Sequence, residues 1–442
     1  MRSIGIDIHR DFMEVAIAEG GEIRSGPRVA MDPESLELFA ASLDRGDEVA
    51  LEVSGNAWEV VRILRPHVGR LVAASPTDTG MRQARAKTDR LDARALARLL
   101  ASGQLETVWV PDEATQAMRR RLQRRSQLVR TRSAAKNEIH AALMRRLVPK
   151  PGFSDLFGKA GRRWLAELEL PAAERESVDS AMRQIEFCES EIAAIEKLVA
   201  SDALASEEIR RLMSVPGVGA ITAAAFMAAV GDISRFPSAK KLVGYLGLDP
   251  IVRQSGSSEA SYGRISKQGS AAGRYALVEA SWSVVKAPGP LRAFYERTKG
   301  RRGASVAIVA TARKLACLFW TLLVRGEDYA YTQPSMTTKK LRRLELTAGA
   351  RKGRGGAGVW KANAAVRDAE RKMAEQAEAA YRRTVAEFKR VENTAGEAAQ
   401  GGREGTGRAG RRGRRRDIGA RILKSPSRGQ AARRAHAPGS AL

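Results

Sequence analysis

Apolar and polar positions at the start of the chain alternate as strands do. Ser3-Ile4-Gly5-Ile6-Asp7-Ile8 begins extended, Phe12 to Ala18 continues it after a turn, and Gly20-Gly21 marks a hairpin bend. Residues 49–53 and 71–74 are two more apolar runs; the first leads into a helical pattern over 58–64, and Ser75-Pro76 closes the second. Between 88 and 100, Leu91, Ala95, Leu96 and Leu99 fall on one helical face. Hairpin strands followed by strand–helix units predict an α/β domain with a mixed sheet over residues 1–110.

The pattern then lengthens. Over 112–148, Met118, Leu122, Leu128, Ile139 and Leu143 are spaced for a long Arg-studded helix, with Asp112 as its cap. Over 178–204, Met182, Ile185, Ile192, Ile195 and Leu198 repeat the spacing. Residues 111–205 thus predict an antiparallel, coiled-coil-like helical arm, which either packs on the main domain or dimerises the chain. Residues 206–330 predict a mainly α domain. Val215-Pro216-Gly217-Val218-Gly219 precedes a small-residue helix at 221–230, a polar Gly-rich stretch spans 244–273, and apolar helices follow at 275–285 and 304–323. Residues 331–395 hold a linker and a charged helix at 360–392. Residues 396–442 have too few apolar side chains to fold alone and predict a disordered basic tail.

Charge adds a partner. The 442 residues carry 76 Lys and Arg against 50 Asp and Glu, a formal net charge of +26, which points to a polyanion. The excess is uneven, with 27 basic and 10 acidic residues in 331–442 against 49 and 40 in 1–330. The tail is either a solubilising segment or a non-specific phosphate-binding arm. Two cysteines, Cys188 and Cys317, exclude a disulfide framework and disfavour a Cys/His zinc site. No uninterrupted apolar run reaches the roughly 18 residues of a membrane span, and Asp7 breaks the first apolar stretch, so neither a membrane segment nor a signal peptide is expected and the chain reads as cytoplasmic.

Carboxylates carry the chemistry. Asp7 interrupts Ile6 and Ile8, and Glu52 interrupts Leu51 and Val53. A carboxylate facing a core must be paired, metal-bound or at the sheet's edge. Asp89 and Asp92, three apart, share one face of a helix. By themselves these two make an ordinary acidic helix start. With Asp7 and Glu52 they make a set of four that could converge on divalent cations for phosphodiester chemistry.

In the second half, Gly217 and Gly219 would let backbone N–H groups approach a phosphate in a helix-hairpin-helix turn, or simply serve a tight turn between packed helices. Ser255 precedes Gly256, with Arg253, Arg264 and Lys267 near it in sequence. These bases could hold a phosphate and stabilise developing charge. No histidine is near in sequence, which disfavours a Ser-His-Asp hydrolase, so on residues alone a phosphate-binding loop is the better reading.

Gly5-Ile6-Asp7-Ile8-His9, Leu51-Glu52-Val53-Ser54-Gly55-Asn56 and Lys87-Thr88-Asp89-Arg90-Leu91-Asp92-Ala93 together resemble the RuvC-like DEDD domain of insertion-sequence transposases of the IS110 group, with its IS116/IS902 branch. The resemblance covers roughly residues 1–330. It implies an RNase H-like fold, Mg²⁺ or Mn²⁺ held by Asp7, Glu52, Asp89 and Asp92, and a serine nucleophile matching Ser255, with Ser257 and Ser258 close by. It also implies DNA as substrate, an element-encoded guide RNA as partner, and assembly as a homodimer or tetramer, so that acids and serine can meet across copies. Two other readings stay open on the residues: a metal-dependent junction resolvase or nuclease without a covalent intermediate, and a non-catalytic nucleic-acid binder.

Overall fold

The computed structural model describes residues 1–75, 88–149, 151–256, 260–353 and 357–401. Lys87, Ser257, Ser258 and the Arg-rich run after Gly401 lie outside them. The chain divides into two compact units, Met1–Asp112 and Glu113 onward.

The first unit is a five-stranded mixed sheet with helices on both faces. Its strands are β1 (Ser3–Ile8), β2 (Phe12–Glu19), β3 (Glu22–Ala30), β4 (Glu48–Glu52) and β5 (Arg70–Ala74), in the order β3-β2-β1-β4-β5. β1, β2 and β3 pair antiparallel, whereas β4 and β5 run parallel to β1. Alternation along β1 sorts the two faces. Ile4, Ile6 and Ile8 point with Val49 and Leu51 into a core covered by α1 (Pro33–Ala41) and α2 (Ala57–Leu64). Gly5 and Asp7 point the other way, towards α3 (Asp89–Ala101). There the sheet is lined by Ala16, Ala18, Ala50 and Ala74, so α3 lies close against it through Ala93, Ala97 and Leu96.

In the second unit, α4 (Glu113–Arg145) and α6 (Ala172–Ala205) run antiparallel, as their ion pairs show: Arg125 with Glu196 at 2.6 Å, Arg145 with Glu174 at 2.9 Å, and Arg121 with Asp202. At one end of this pair, Ile139, Leu143 and Ile185 share a small core with Leu165 of α5 (Lys159–Glu167). At the other end, Met118, Leu122, Val199 and Ala203 join the main core. The helix pair therefore shares its core with the following helices rather than standing as a separate piece. That core is built by α7 (Glu207–Met213), α8 (Ala220–Val230), α9 (Ala239–Tyr245), α10 (Ala271–Val284) and α12 (Ala304–Arg325), around Phe226 and Phe319.

Three features depart from the sequence pattern. The polar Gly-rich stretch holds a two-stranded hairpin, β6 (Pro250–Arg253) and β7 (Ser261–Ile265), so this part is not purely helical. α11 (Pro290–Arg302) and α13 (Pro334–Ala348) are charged helices with little apolar contrast to betray them. α12 has the length and composition of a bilayer-crossing helix, but, as expected from the sequence, Arg313 and Lys314 interrupt its apolar run. Its Leu315, Phe319 and Leu322 are spent in the main core. Finally, α14 (Ala357–Gly401) runs six residues into the stretch expected to be tail.

Candidate functional site

β1 and α3 meet at an acidic cluster, and the meeting depends on a glycine. A Cβ on Gly5 would lie 2.2 Å from the carbonyl oxygen of Ala93 and 2.4 Å from the amide nitrogen of Ala97. Only a residue without a side chain lets α3 settle there, and α3 carries Asp89 and Asp92 in its first turn, capped by Thr88. The Gly5-x-Asp7 pattern and the Asp92-Ala93 pattern are thus two halves of one contact, a link that spacing within either motif does not reveal.

Asp7 is two residues past Gly5 on the same face, with its side chain 14% exposed. Glu52 ends β4, the parallel neighbour of β1; Ile6 pairs with Leu51, so the register puts Glu52 beside Asp7 on the same face. Asp92 is buried and Asp89 more open. Burial pushes the Asp7 carboxyl above its ordinary value, and the charges of Asp92 and Asp89 add to this, against the pull of His9. Four carboxylates on two strands and one helix therefore face a common end of the sheet.

Two further residues belong to this cluster. His9 Nε2 lies 3.1 Å from Asp7 Oδ2 and 3.2 Å from Asp89 Oδ2, so the ring bridges strand and helix. Its carbonyl accepts from Asn56 Nδ2 at 3.0 Å, and Ser54 Oγ reaches Asn56 Oδ1 at 3.0 Å, so the loop after Glu52 fixes the residue after β1. Glu14 pairs with Asp7 across the antiparallel ladder and is buried, its charge met by Arg28 Nε at 2.6 Å. The signal for His9 was its place in the Gly5–His9 motif; nothing in the spacing tied it to Asp89.

The donor set suits a divalent cation. Asp7, His9 and Asp89 each bring one ligand atom within 4.8 Å of the others. Hard carboxylate oxygens fit Mg²⁺ or Mn²⁺, and the imidazole adds a nitrogen that transition metals accept. A raised carboxyl beside like charges is what such a set shows before a cation neutralises it.

The serine region belongs to the second unit. Ser255 and Gly256 follow β6 at the exposed end of the β6–β7 hairpin. Arg253 is two residues away, paired in register with Ser261. Arg264 lies near the hairpin base, roughly 13 Å along the strand from Ser255 at 3.3 Å per residue. Lys267 is past the strand, in a left-handed conformation (φ 57°), its N–H bonded to the Gly247 carbonyl at 3.1 Å. The structure therefore gives Ser255 one close basic neighbour in sequence, Arg253, and groups Arg264 and Lys267 at the base. There Ser266 Oγ donates to Asp249 at 2.7 Å, and Gly269 meets the Tyr245 carbonyl so closely that a Cβ would be 2.1 Å from it.

The Gly217 turn joins α7 to α8. Gly217 has φ 87°, and a Cβ there would lie 2.6 Å from the Val284 amide nitrogen, so the glycine lets the turn pack on α10. Gly219 stands at the N-terminus of α8 with open space around it. Of the two glycines, Gly219 has room for a ligand.

Two segments of the chain match known protein families. Residues 4–147 match the IS110-type DEDD transposase model, and residues 209–296 match the model described as transposase IS116/IS110/IS902 family. The chain is 29% identical over 347 residues to the transposase for insertion sequence element IS1111A of Coxiella burnetii, covering 74% of this chain and 91% of that one. It is also 29% identical over 297 residues to a protein of Pseudomonas aeruginosa described as a probable family 20 transposase, covering 64% of this chain and 85% of that one.

Proposed function

This chain belongs to the IS116/IS110/IS902 family of insertion-sequence transposases, DNA-recombining enzymes whose DEDD domain has an RNase H-like α/β fold, and from that premise we propose how its own residues divide the work. Asp7, Glu52, Asp89 and Asp92 hold a divalent cation, Mg²⁺ or Mn²⁺, and Ser255 is the nucleophile that attacks the scissile DNA phosphate. The observation that carries this reading is the convergence of β1 and α3, which brings Asp7, Asp89 and Asp92 together beside Glu52.

A bound cation at these acids supplies charge neutralisation at the phosphate and assists the attacking and leaving oxygens. The protein does the rest. Gly5 and the α3 contact fix the carboxylates before substrate arrives, and His9 spans Asp7 and Asp89. Ser255 Oγ forms a bond to phosphorus as the P–O bond to the departing strand breaks; the serine gives up its proton and the departing oxygen gains one. The phosphoserine link conserves the bond for rejoining, and Arg253 offers positive charge beside it. Acids and serine lie in different units, so the reading includes completion of a site by residues of another copy in a dimer or tetramer. It also includes a guide RNA; the basic excess of +26 suits two nucleic acids at once.

The test uses the full chain, a synthetic element-end junction and Mg²⁺. Asp7→Asn and Glu52→Gln should abolish cutting, and Ser255→Ala should abolish both cutting and recovery of protein covalently attached to DNA. Cutting that persists in Ser255→Ala excludes the serine and leaves a metal-dependent nuclease. Cutting that persists in Asp7→Asn and Glu52→Gln removes the acids from the chemistry.

A further inference from the structure

Among the described residues, a second group of charges, in the helices that follow the hairpin, has no carboxylate partner. Arg297 of α11 lies with its guanidinium carbon 5.5 Å from the centre of the Phe294 ring and 6.0 Å from that of Tyr381 in α14. Lys314 of α12 holds its ammonium 5.6 Å from the same Phe294 ring. Arg297 Nε is buried and has no hydrogen-bond partner. Burial draws Lys314 below its ordinary value, and the charges of Arg313 and Arg297 push the same way.

The nearby acids are already committed. α12 contains none. Glu296, the acid of α11, pairs with Lys299 at 3.8 Å. Glu378 of α14, one turn before Tyr381, accepts from Arg292 at 2.7 Å, from Arg382 at 2.6 Å and from the Gly289 N–H at 3.0 Å. Arg297 also hydrogen-bonds the Tyr381 hydroxyl, yet its Nε stays unfilled, and ring faces attract cations without filling their N–H donors. A group of partly buried like charges without carboxylates disfavours the fold, so its retention calls for an anion that arrives from outside.

We propose that Arg297, Arg313 and Lys314, with Tyr381 of α14 alongside, form a binding site for the phosphodiester backbone of a nucleic acid. Phosphate oxygens would accept from the lysine ammonium and the arginine forks, and the exposed Arg313 would meet the same backbone from the rim. All four residues lie beyond residue 296, where the second matched segment ends. It does not depend on the roles given to Asp7 or Ser255.

The experiment measures binding of the full chain to a short duplex DNA and, separately, to a short single-stranded RNA, by fluorescence anisotropy over a salt series. Lys314→Met and Arg313→Gln should each lower the slope of log affinity against log salt by about 0.9 for the duplex or about 0.7 for the single strand. Lys314→Met should also raise Tm, because it removes a partly buried cation without a partner; Arg313→Gln, at an exposed position, should leave Tm unchanged and so separates binding from folding. Loss confined to the duplex identifies DNA as the ligand, and loss confined to the single strand identifies RNA. A slope unchanged with both probes in both variants overturns the site, as does a fall in Tm for Lys314→Met. Junction cutting in the same preparations reports on the acids and serine independently.

Discussion

The role proposed for Asp7 opposes the stability of the fold. Its carboxyl is pushed upward by burial, and by Asp92 and Asp89 against the pull of His9, so the folded state holds its proton more tightly than the unfolded chain does. Any stability it contributes is therefore present below the ordinary carboxylate range and lost as pH rises through the raised value. Asp7→Asn should raise the Tm of the metal-free protein at neutral pH, with the difference closing in acid; calorimetry across that range would show it, and a lower Tm at neutral pH contradicts the argument. Gly5 has the opposite character. Gly5→Ala sets a methyl against the Ala93 carbonyl and should cost about 1–3 kcal/mol as overpacking, read by urea unfolding. Asp7 and Glu52 were legible in the sequence because carboxylates inside apolar runs are conspicuous, whereas Asp89 and Asp92, by themselves an ordinary acidic helix start, joined them only as a set and through the family resemblance. His9 and Glu14 were not: one looks like an ordinary loop residue and the other like a strand's solvent face until the tertiary pairing is known.

At the scale of elements, legibility followed apolar contrast. β1, β4 and β5, and the long helices α4 and α6, announce themselves through period and length. α11 and α13 do not, since their charged side chains outnumber their buried ones, and β6 and β7 are largely exposed on both faces with no alternation to detect. α14 shows how a charged helix is held. Glu378 caps the start of α11 through the Gly289 N–H and Arg292, while Glu370 receives the N–H of Ser335 at 3.0 Å at the start of α13. Arg292, Gly289 and Arg382 hold the Glu378 carboxyl low despite its burial, so the contact stabilises above the ordinary carboxylate range and fades as pH falls through the lowered value. Glu378→Gln should weaken the docking of α14 by about 1.5–3 kcal/mol, seen as faster amide exchange in α14 with α8 and α12 unchanged.

For the whole molecule, charge separates into two kinds. Residues 402–442 carry 12 basic and 2 acidic side chains, and removing them lowers the net charge from +26 to +16. Truncation after Gly401 should lower non-specific duplex affinity at physiological salt by tenfold or more and flatten its salt dependence, while leaving cutting of a junction at low salt intact. Loss of cutting at low salt would instead give the tail a role in the chemistry. The two core systems, one around the mixed sheet and one around Phe226 and Phe319, each have the apolar interior of an independent fold, which is why a chain with such a charge excess still compacts.

The close seating of α3 on Gly5 has a consequence for biosynthesis. Asp7 and Glu52 leave the ribosome well before Asp89 and Asp92, and α3 has no surface to dock on until β1, β2 and β4 have paired. A nascent chain therefore carries only half of the acid set, dispersed on an unfinished sheet. The proposed metal-binding acid set is thus completed late, in the same step that closes the first unit.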